Sequence, residues 1–204
     1  MSGAPRSLAD PAEAERRRAA LGAPHMRPLA AHVRDLRRSG GFVPDLDPSD
    51  GGTGARLLLL LEKPGPGTDP ARGGSGFVSV DNPDPTAVAS FRFLQEAEID
   101  RSGIAVWNTC PWWNGMIRFT AAERRAGLGA LPAFLDLMPS LRAAVCVGRQ
   151  AERAAPLLEG GGLRVFASAH PSGQVRAAAR ARWDAIPAVW RAAWLAAGRP
   201  SGSA

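Results

Sequence analysis

The chain has no tyrosine, only two cysteines and only three histidines among its 204 residues. Two cysteines exclude a four-cysteine iron–sulfur cluster held by one chain, and Cys110 and Cys146 lie in apolar segments without metal-ligand spacing, so they read as buried, reduced thiols. No apolar run reaches the length of a membrane span and the N-terminus carries no secretory core, which predicts a cytoplasmic protein with no membrane partner. Neither a phosphate-binding nucleotide loop nor a dinucleotide fingerprint is present, and there is no internal repeat.

What is present describes a globular chain. Hydrophobic residues make up 45% and charged residues 22%, which argues against wholesale disorder. The length fits one domain over 1–204, with disorder expected at residues 1–11 and 198–204. A net charge of +6, carried mostly by arginine, and a pI of about 11.0 favour a polyanionic partner such as nucleic acid.

The organising stretch is Leu57–Leu61 followed by Glu62-Lys63-Pro64-Gly65-Pro66-Gly67. An unbroken apolar run stopped by Pro and Gly reads as a central parallel strand buried on both faces. Ligands of open α/β sheets sit at the carboxyl ends of strands, so Glu62 and Lys63 are the first candidates for chemistry. Three more strands follow at Ile104–Asn108, Ala143–Val147 and Leu163–Ala167, with helical segments between them. The fold class this predicts is a three-layer α/β/α domain around a four-stranded, mainly parallel sheet.

Polar groups recur at the strand ends. Asn108 carries both a donor and an acceptor and can read a heterocycle edge or cap its own loop. His170, in Ala169-His170-Pro171-Ser172-Gly173, can stabilise a departing anion, and Ser172 and Gly173 can admit a phosphate. Glu62 can orient water or stabilise a cationic sugar. Phe77, beside Gly76, either plugs its long loop into the core or forms a stacking wall for a planar ligand. Trp112 and Trp113 read equally well as core rings or as an exposed platform. Arg176, Arg180 and Arg182 form a solvated face or the flank of a DNA groove.

In their order and their placement at strand ends, Glu62-Lys63-Pro64-Gly65-Pro66, Gly76-Phe77-Val78, Asn108 and His170-Pro171-Ser172 resemble the uracil-DNA glycosylase superfamily, in a branch without an iron–sulfur cluster. The resemblance spans about Leu57 to Gln174. It implies a monofunctional glycosylase that hydrolyses the N-glycosidic bond of uracil in DNA during base excision repair, without metal or cofactor, leaving abasic DNA. On that likeness Glu62 and His170 are catalytic and Phe77 and Asn108 bind the flipped base. Lys63, Pro64, Gly65, Ser172 and Gly173 form the motif loops and touch phosphate, and Gln174, Val175 and Arg176 lie at the gap left in the duplex. The protein is expected to act as a monomer on nucleoid DNA.

Two departures matter. Many members carry Asp or Asn where this chain has Lys63, which turns attention to Glu62, with Asp81 as a fallback. Lys63 itself reads as a phosphate contact or an ion-pair partner of Glu62, with an amine nucleophile at C1′ as the alternative. The absence of tyrosine removes the ring that follows the first-motif proline in the best-known branch, where it screens out thymine. Gly65 stands there instead, which opens the way to hypoxanthine or xanthine. The competing reading is a uracil or abasic-DNA binding protein that has lost catalysis.

Overall fold

The structure, a computed structural model, describes residues 4–198. The Asp10 carboxylate accepts from the Ala12 N–H and starts helix α1 (Pro11–Ala20). Helix α2 (Arg27–Gly40) buries Leu29, Val33 and Leu36 on one stripe and ends at Gly41, whose φ of 103° stops it. A short strand β1 (Asp45–Leu46) precedes the leucine strand β2 (Leu57–Leu61) and pairs in parallel with β3 (Phe77–Val78). Then come α3 (Pro85–Glu96), β4 (Ile104–Asn108), α4 (Ala121–Leu135), β5 (Ala143–Val147), α5 (Ala155–Gly160) and β6 (Arg164–Ser168). The chain closes with α6 (Gly173–Ala178), α7 (Arg180–Asp184) and α8 (Ile186–Ala196).

The main sheet has the order β4-β2-β5-β6 and every pair in it is parallel. The alternation of side chains along β2 explains its composition. Leu58 and Leu60 enter a core with α2, α4 and α5, whereas Leu57 and Leu59 enter a second core with α3 and α8. Both faces are covered, so apolar side chains are needed at even and odd positions alike. Each buried leucine contributes about 2 kcal/mol. The three-layer α/β/α architecture is the one the strand pattern predicts.

Two local expectations, an interruption of the helical segment at Pro132 or a new helix starting there, and fraying of residues 1–11, differ from the structure. Pro132 does not interrupt α4: the Asp136 N–H still reaches the Pro132 carbonyl at 3.0 Å, so the proline removes a single donor while Leu131 and Phe134 stay buried. The closing helical region is three helices, broken where Ala179 leaves helical geometry at φ −148° and again at Ala185, between α7 and α8. Trp112 and Trp113 are not an open platform, because their indole N–H groups donate to the Leu36 carbonyl and to Asp69. Within the N-terminal stretch expected to fray, Ser7–Ala9 forms a 3₁₀ turn whose Leu8 packs against Ala14 and Phe77. Residues 199–204, where tail disorder was expected, lie outside the described residues. Cys110 and Cys146 are buried and free, with burial pushing their thiols up to about 11 and about 12. Among the described residues no helix is long and apolar enough to cross a membrane.

Candidate active site

Parallel register brings the carboxyl ends of neighbouring strands level. Leu61 pairs with Asn108, Leu60 with Cys146 and Val147 with Ser168. Asn108, Glu62, Gly148 and His170 therefore follow one another along one sheet edge, ~14 Å across at the backbone from the usual strand spacing. All four line a single cavity of about 540 Å³.

Glu62 is fixed from both sides. Its carbonyl accepts from the Cys110 N–H at 3.0 Å, and the preceding Leu61 carbonyl accepts from the Thr109 N–H at 2.8 Å and hydroxyl at 2.9 Å, which prolongs the β2–β4 ladder past its last strand residue. On the other side, Glu62 Oε1 accepts from the Gln150 N–H at 3.0 Å. Between these lies Gly148, with φ of 97°. A Cβ there would sit 2.6 Å from Glu62 Oε1 and 3.3 Å from His170 Cβ, so the carboxylate and the histidine approach each other across a residue that must be glycine. The sequence offers Gly148 only as a common turn glycine; its contact with two strand ends emerges from the fold.

Burial holds the His170 imidazole below its ordinary pKa, against the opposing pull of the Glu62 and Asp84 carboxylates. The ring is accordingly neutral at pH 7. Asp84 is a site residue that sequence reasoning missed. Its Oδ1 accepts from the Thr86 and Ala87 N–H groups and caps α3, a role the sequence assigned to Thr86, and the residue also lines the cavity. The Asp-Pro-Thr run that opens α3 was the available signal. Asn108 is 3% exposed, and its amide faces the cavity without a hydrogen-bond partner among the described residues.

Other expectations are corrected. Phe77 is fully buried against Leu8 and Ala14 and does not line the cavity. Strand alternation explains this: Phe77 and Val78 point to opposite sides of β3, and it is Val78 that reaches the cavity. The phenyl ring that does line it is Phe119, half-buried, in the loop before α4. Lys63, the only lysine in the chain, does not pair with Glu62. Its Nζ donates to Asn114 Oδ1 at 2.8 Å, to the Arg118 carbonyl at 3.2 Å and to Glu123 Oε1 at 2.5 Å, with its side chain 4% exposed. Glu123 also closes the Thr120 capping box through Oε2. Burial disfavours the Glu123 charge, but Lys63 and Thr120 outweigh it and keep its carboxyl below the ordinary value. With three acceptors around it, the Lys63 amine has no lone pair free for a nucleophilic role.

Pro64 and Gly65 line the cavity, and a Cβ on Gly65 would find nothing within 4 Å, so the space there is open. Ser172 caps α6, its hydroxyl accepting from the Val175 N–H at 3.3 Å. Ser172, Gln174 and Val175 reach the cavity, whereas Gly173 and Arg176 line a smaller groove of about 270 Å³ with Arg6, Arg92 and Trp183. Arg182 and Arg149 stand exposed at the cavity rim.

One wall of the cavity rests on buried charge. Arg101 donates to Asp50 at 2.8 Å and to Asp81 at 2.6 Å, Arg17 donates to Asp81 at 2.7 Å, and Asp47 receives both guanidinium groups and the Ser79 hydroxyl. The network ties Ser79 to Asn82, of which Ser79, Val80 and Asn82 line the cavity, to α1 and to the turn before β4. Asp81 gives its Oδ2 to this support, its Oδ1 is buried without a hydrogen-bond partner, and the residue does not line the cavity. Two arginines face three aspartates, and burial, with Asp47 and Asp81 adding repulsion against the pull of Arg101, pushes Asp50 up to about 7.

The chain resembles, at 18% identity, the solution NMR structure of a candidate uracil DNA glycosylase from Methanosarcina acetivorans. That match covers 69% of this chain and 91% of the other at a TM-score of 0.45. No curated protein matches the sequence. A profile describing the uracil DNA glycosylase superfamily matches residues 48–194, a span that begins just before β2 and takes in every strand end of the cavity. The chain belongs to the uracil DNA glycosylase superfamily.

Proposed function

We propose that this chain is a monofunctional DNA glycosylase that hydrolyses the N-glycosidic bond of uracil in DNA, with hypoxanthine and xanthine as further substrates. It acts as a one-domain monomer in the cytoplasm, on nucleoid DNA, and releases an abasic site for base excision repair. The observation that carries this reading is the meeting of a neutral buried imidazole, a fixed carboxylate and an unpartnered amide at level strand ends around one cavity.

Asn108 hydrogen-bonds the edge of the extruded base and Phe119, rather than Phe77, stacks on its face. The C1′–N bond breaks with its electron pair leaving on the base, and His170, uncharged, donates a hydrogen bond to the carbonyl oxygen where that charge collects. Water adds to C1′, and the proton it loses passes to a carboxylate. Glu62, with Oε1 held by Gln150, offers Oε2 for this task, and Asp84 supplies a second negative charge beside the cationic sugar. Ser172, Gly173 and the first amides of α6 hold the backbone phosphate, and the space at Gly65 admits bases larger than uracil. The alternative of an inactive binder, motivated by Lys63 and the basic charge balance, is what single-turnover base release decides.

The test is single-turnover base release from oligonucleotides carrying uracil, hypoxanthine or xanthine, single-stranded and paired. Asn108→Ala, His170→Asn and Glu62→Gln are each expected to lower release by about 10²–10⁴-fold while binding changes little. Release by wild type with unchanged rates in all three variants would reject the site, and binding without any release by folded wild type would reject the enzyme.

A further inference from the structure

Three large apolar side chains are exposed among the described residues: Met116 at 55%, Ile117 at 81% and Leu195 at 69%. Leu195 stands alone on α8, but Met116 and Ile117 are adjacent, and Ile117 lines the mouth of the main cavity. Isolated apolar residues on a surface need no explanation, whereas two together at the rim of a binding cavity do.

The tip that carries them is built to stay out. Lys63 Nζ bonds Asn114 Oδ1 at 2.8 Å on one stalk and the Arg118 carbonyl at 3.2 Å on the other, so one buried ammonium clamps both sides of Gly115–Ile117. Asn114 Oδ1 also accepts from the Met116 N–H at 3.1 Å, Asn114 Nδ2 donates to Glu123 at 2.9 Å, and Gly115 turns the chain at φ 82°. A loop free to relax would fold these side chains against the protein, and the clamp prevents it. The surroundings are cationic: Arg118 follows the tip, Arg72 lies beside Gly115, and Arg149 and Arg182 stand at the cavity rim.

The segment expected at the duplex gap is less suited to fill it. Val175 packs against the core of Trp183 and Trp190 and its N–H is held by Ser172, which leaves only the polar Gln174 and Arg176 as exposed side chains there.

We propose that the Lys63-clamped tip, Met116 and Ile117, is an apolar wedge that enters the base stack of duplex DNA beside the extruded nucleotide. The inference rests on the glycosylase reading of the cavity. An apolar finger flanked by cations is suited to this occupant, because bases offer apolar faces where it enters and phosphates line its flanks. Burial in the stack compensates for the exposure of both side chains in the free protein, and a pre-formed tip loses little conformational freedom on entry.

The test compares wild type with Met116→Ser/Ile117→Ser and with the conservative Ile117→Leu, using uracil in single strands and in duplexes. Both side chains are exposed, so the fold is expected to hold, and a melting curve checks it. The serine variant is expected to lose about tenfold or more in duplex release while single-strand release stays within about twofold, and Ile117→Leu is expected to keep both rates. A second readout is independent of chemistry: 2-aminopurine placed next to the target in a duplex should brighten on binding wild type and much less on binding the serine variant. Equal loss on both substrates would make Ile117 a wall of the base pocket and overturn the wedge. Unchanged rates and fluorescence would overturn it too, leaving the tip to a protein partner. If wild type released no base from either substrate the glycosylase reading would fail, and the 2-aminopurine comparison would still decide the wedge.

Discussion

Gly148→Ala is the sharpest perturbation of the site, because it adds one methyl group and removes nothing. Two separate effects follow. The backbone at φ 97° lies where a Cβ is strained, which costs about 1–2 kcal/mol. For a domain of this length that corresponds to a fall in Tm of about 2–8 °C. The second effect is local: the new Cβ lies 2.6 Å from Glu62 Oε1, and ordinary contact begins near 3.4 Å, so the carboxylate must withdraw by most of an ångström. Withdrawal breaks the Gln150 N–H bond that orients it, and His170, 3.3 Å from the same Cβ, is pressed as well. A misplacement of that size in a positioned catalytic group is worth about 10²-fold in rate. Single-turnover uracil release and thermal melting, measured on the same preparation at a temperature where the variant is folded, separate the two effects. The expected result is a folded protein with a modestly lower Tm, nearly unchanged affinity for uracil-containing single strands and a release rate about 10²-fold down. A variant that melts lower but releases uracil at the wild-type rate would refute the argument, since it would mean that Glu62 needs no fixed position.

Lys63→Met keeps the bulk of the stem but removes all three hydrogen bonds to the 114–123 segment, leaving the half-buried Glu123 with only Asn114 and the Thr120 N–H as partners; about 1–3 kcal/mol of stability should be lost and duplex release should fall more than single-strand release, whereas an equal fall on both substrates would place Lys63 at the chemistry. Phe77→Ala should behave as a core truncation, costing about 3–5 kcal/mol in denaturant unfolding, while Phe119→Ala should melt close to wild type and weaken base release; the reverse pattern would restore Phe77 as the stacking ring. Asp50 gives a pH signature. Its folded value of about 7 lies above the ordinary 3.8, so between these values the folded chain holds a proton that the unfolded chain has released, and stability falls as pH rises through that window. Asp50→Asn should flatten the decline in Tm between pH 5 and pH 8, and a variant with the same slope as wild type would show that another group titrates there.

The strand ends were legible in the sequence because strands of a parallel sheet announce themselves as apolar runs, and the residue after each run has nowhere to go but the ligand edge. Leu57–Leu61, Ile104–Asn108 and Ala143–Val147 are bounded in the structure as their residues predict, and Glu62 and Asn108 are where those runs aim them; the fourth strand runs Arg164–Ser168 where Leu163–Ala167 is expected, and His170 follows it. The loops were not legible. Phe77 beside a glycine suggests a ring laid over a ligand, but its direction depends on β3 pairing with a two-residue strand that has no periodic signal of its own. Lys63 suggests a partner in its neighbour Glu62, yet its partner is Glu123, 60 residues away. Asp84 caps α3 where the residues suggest Thr86, and nothing in one sequence says that the capped helix begins inside the cavity.

The two loops share a construction that accounts for this. Two walls of the cavity that the sheet does not build are pinned by buried charge: the Ser79–Asn82 wall by Arg17 and Arg101 on Asp47, Asp50 and Asp81, and the Asn114–Phe119 wall by Lys63 on Glu123. Buried ion pairs are weak sources of net stability, because desolvation cancels most of the attraction. What they impose is direction. A guanidinium facing several carboxylates, or an ammonium bonded to three acceptors, loses much of its stabilisation when any partner shifts, so each loop has one favourable arrangement rather than many. For chemistry at the end of a parallel sheet, the strands fix half of the pocket through packing, and side chains on long connections must complete it to within a fraction of an ångström. Paired charges do so in segments where proline, glycine and short strands leave little apolar surface to pack. The arginine excess in the sequence thus has two parts: exposed residues such as Arg149 and Arg182 at the cavity rim, and buried Arg17 and Arg101, which the net charge cannot distinguish and which serve the cavity from behind.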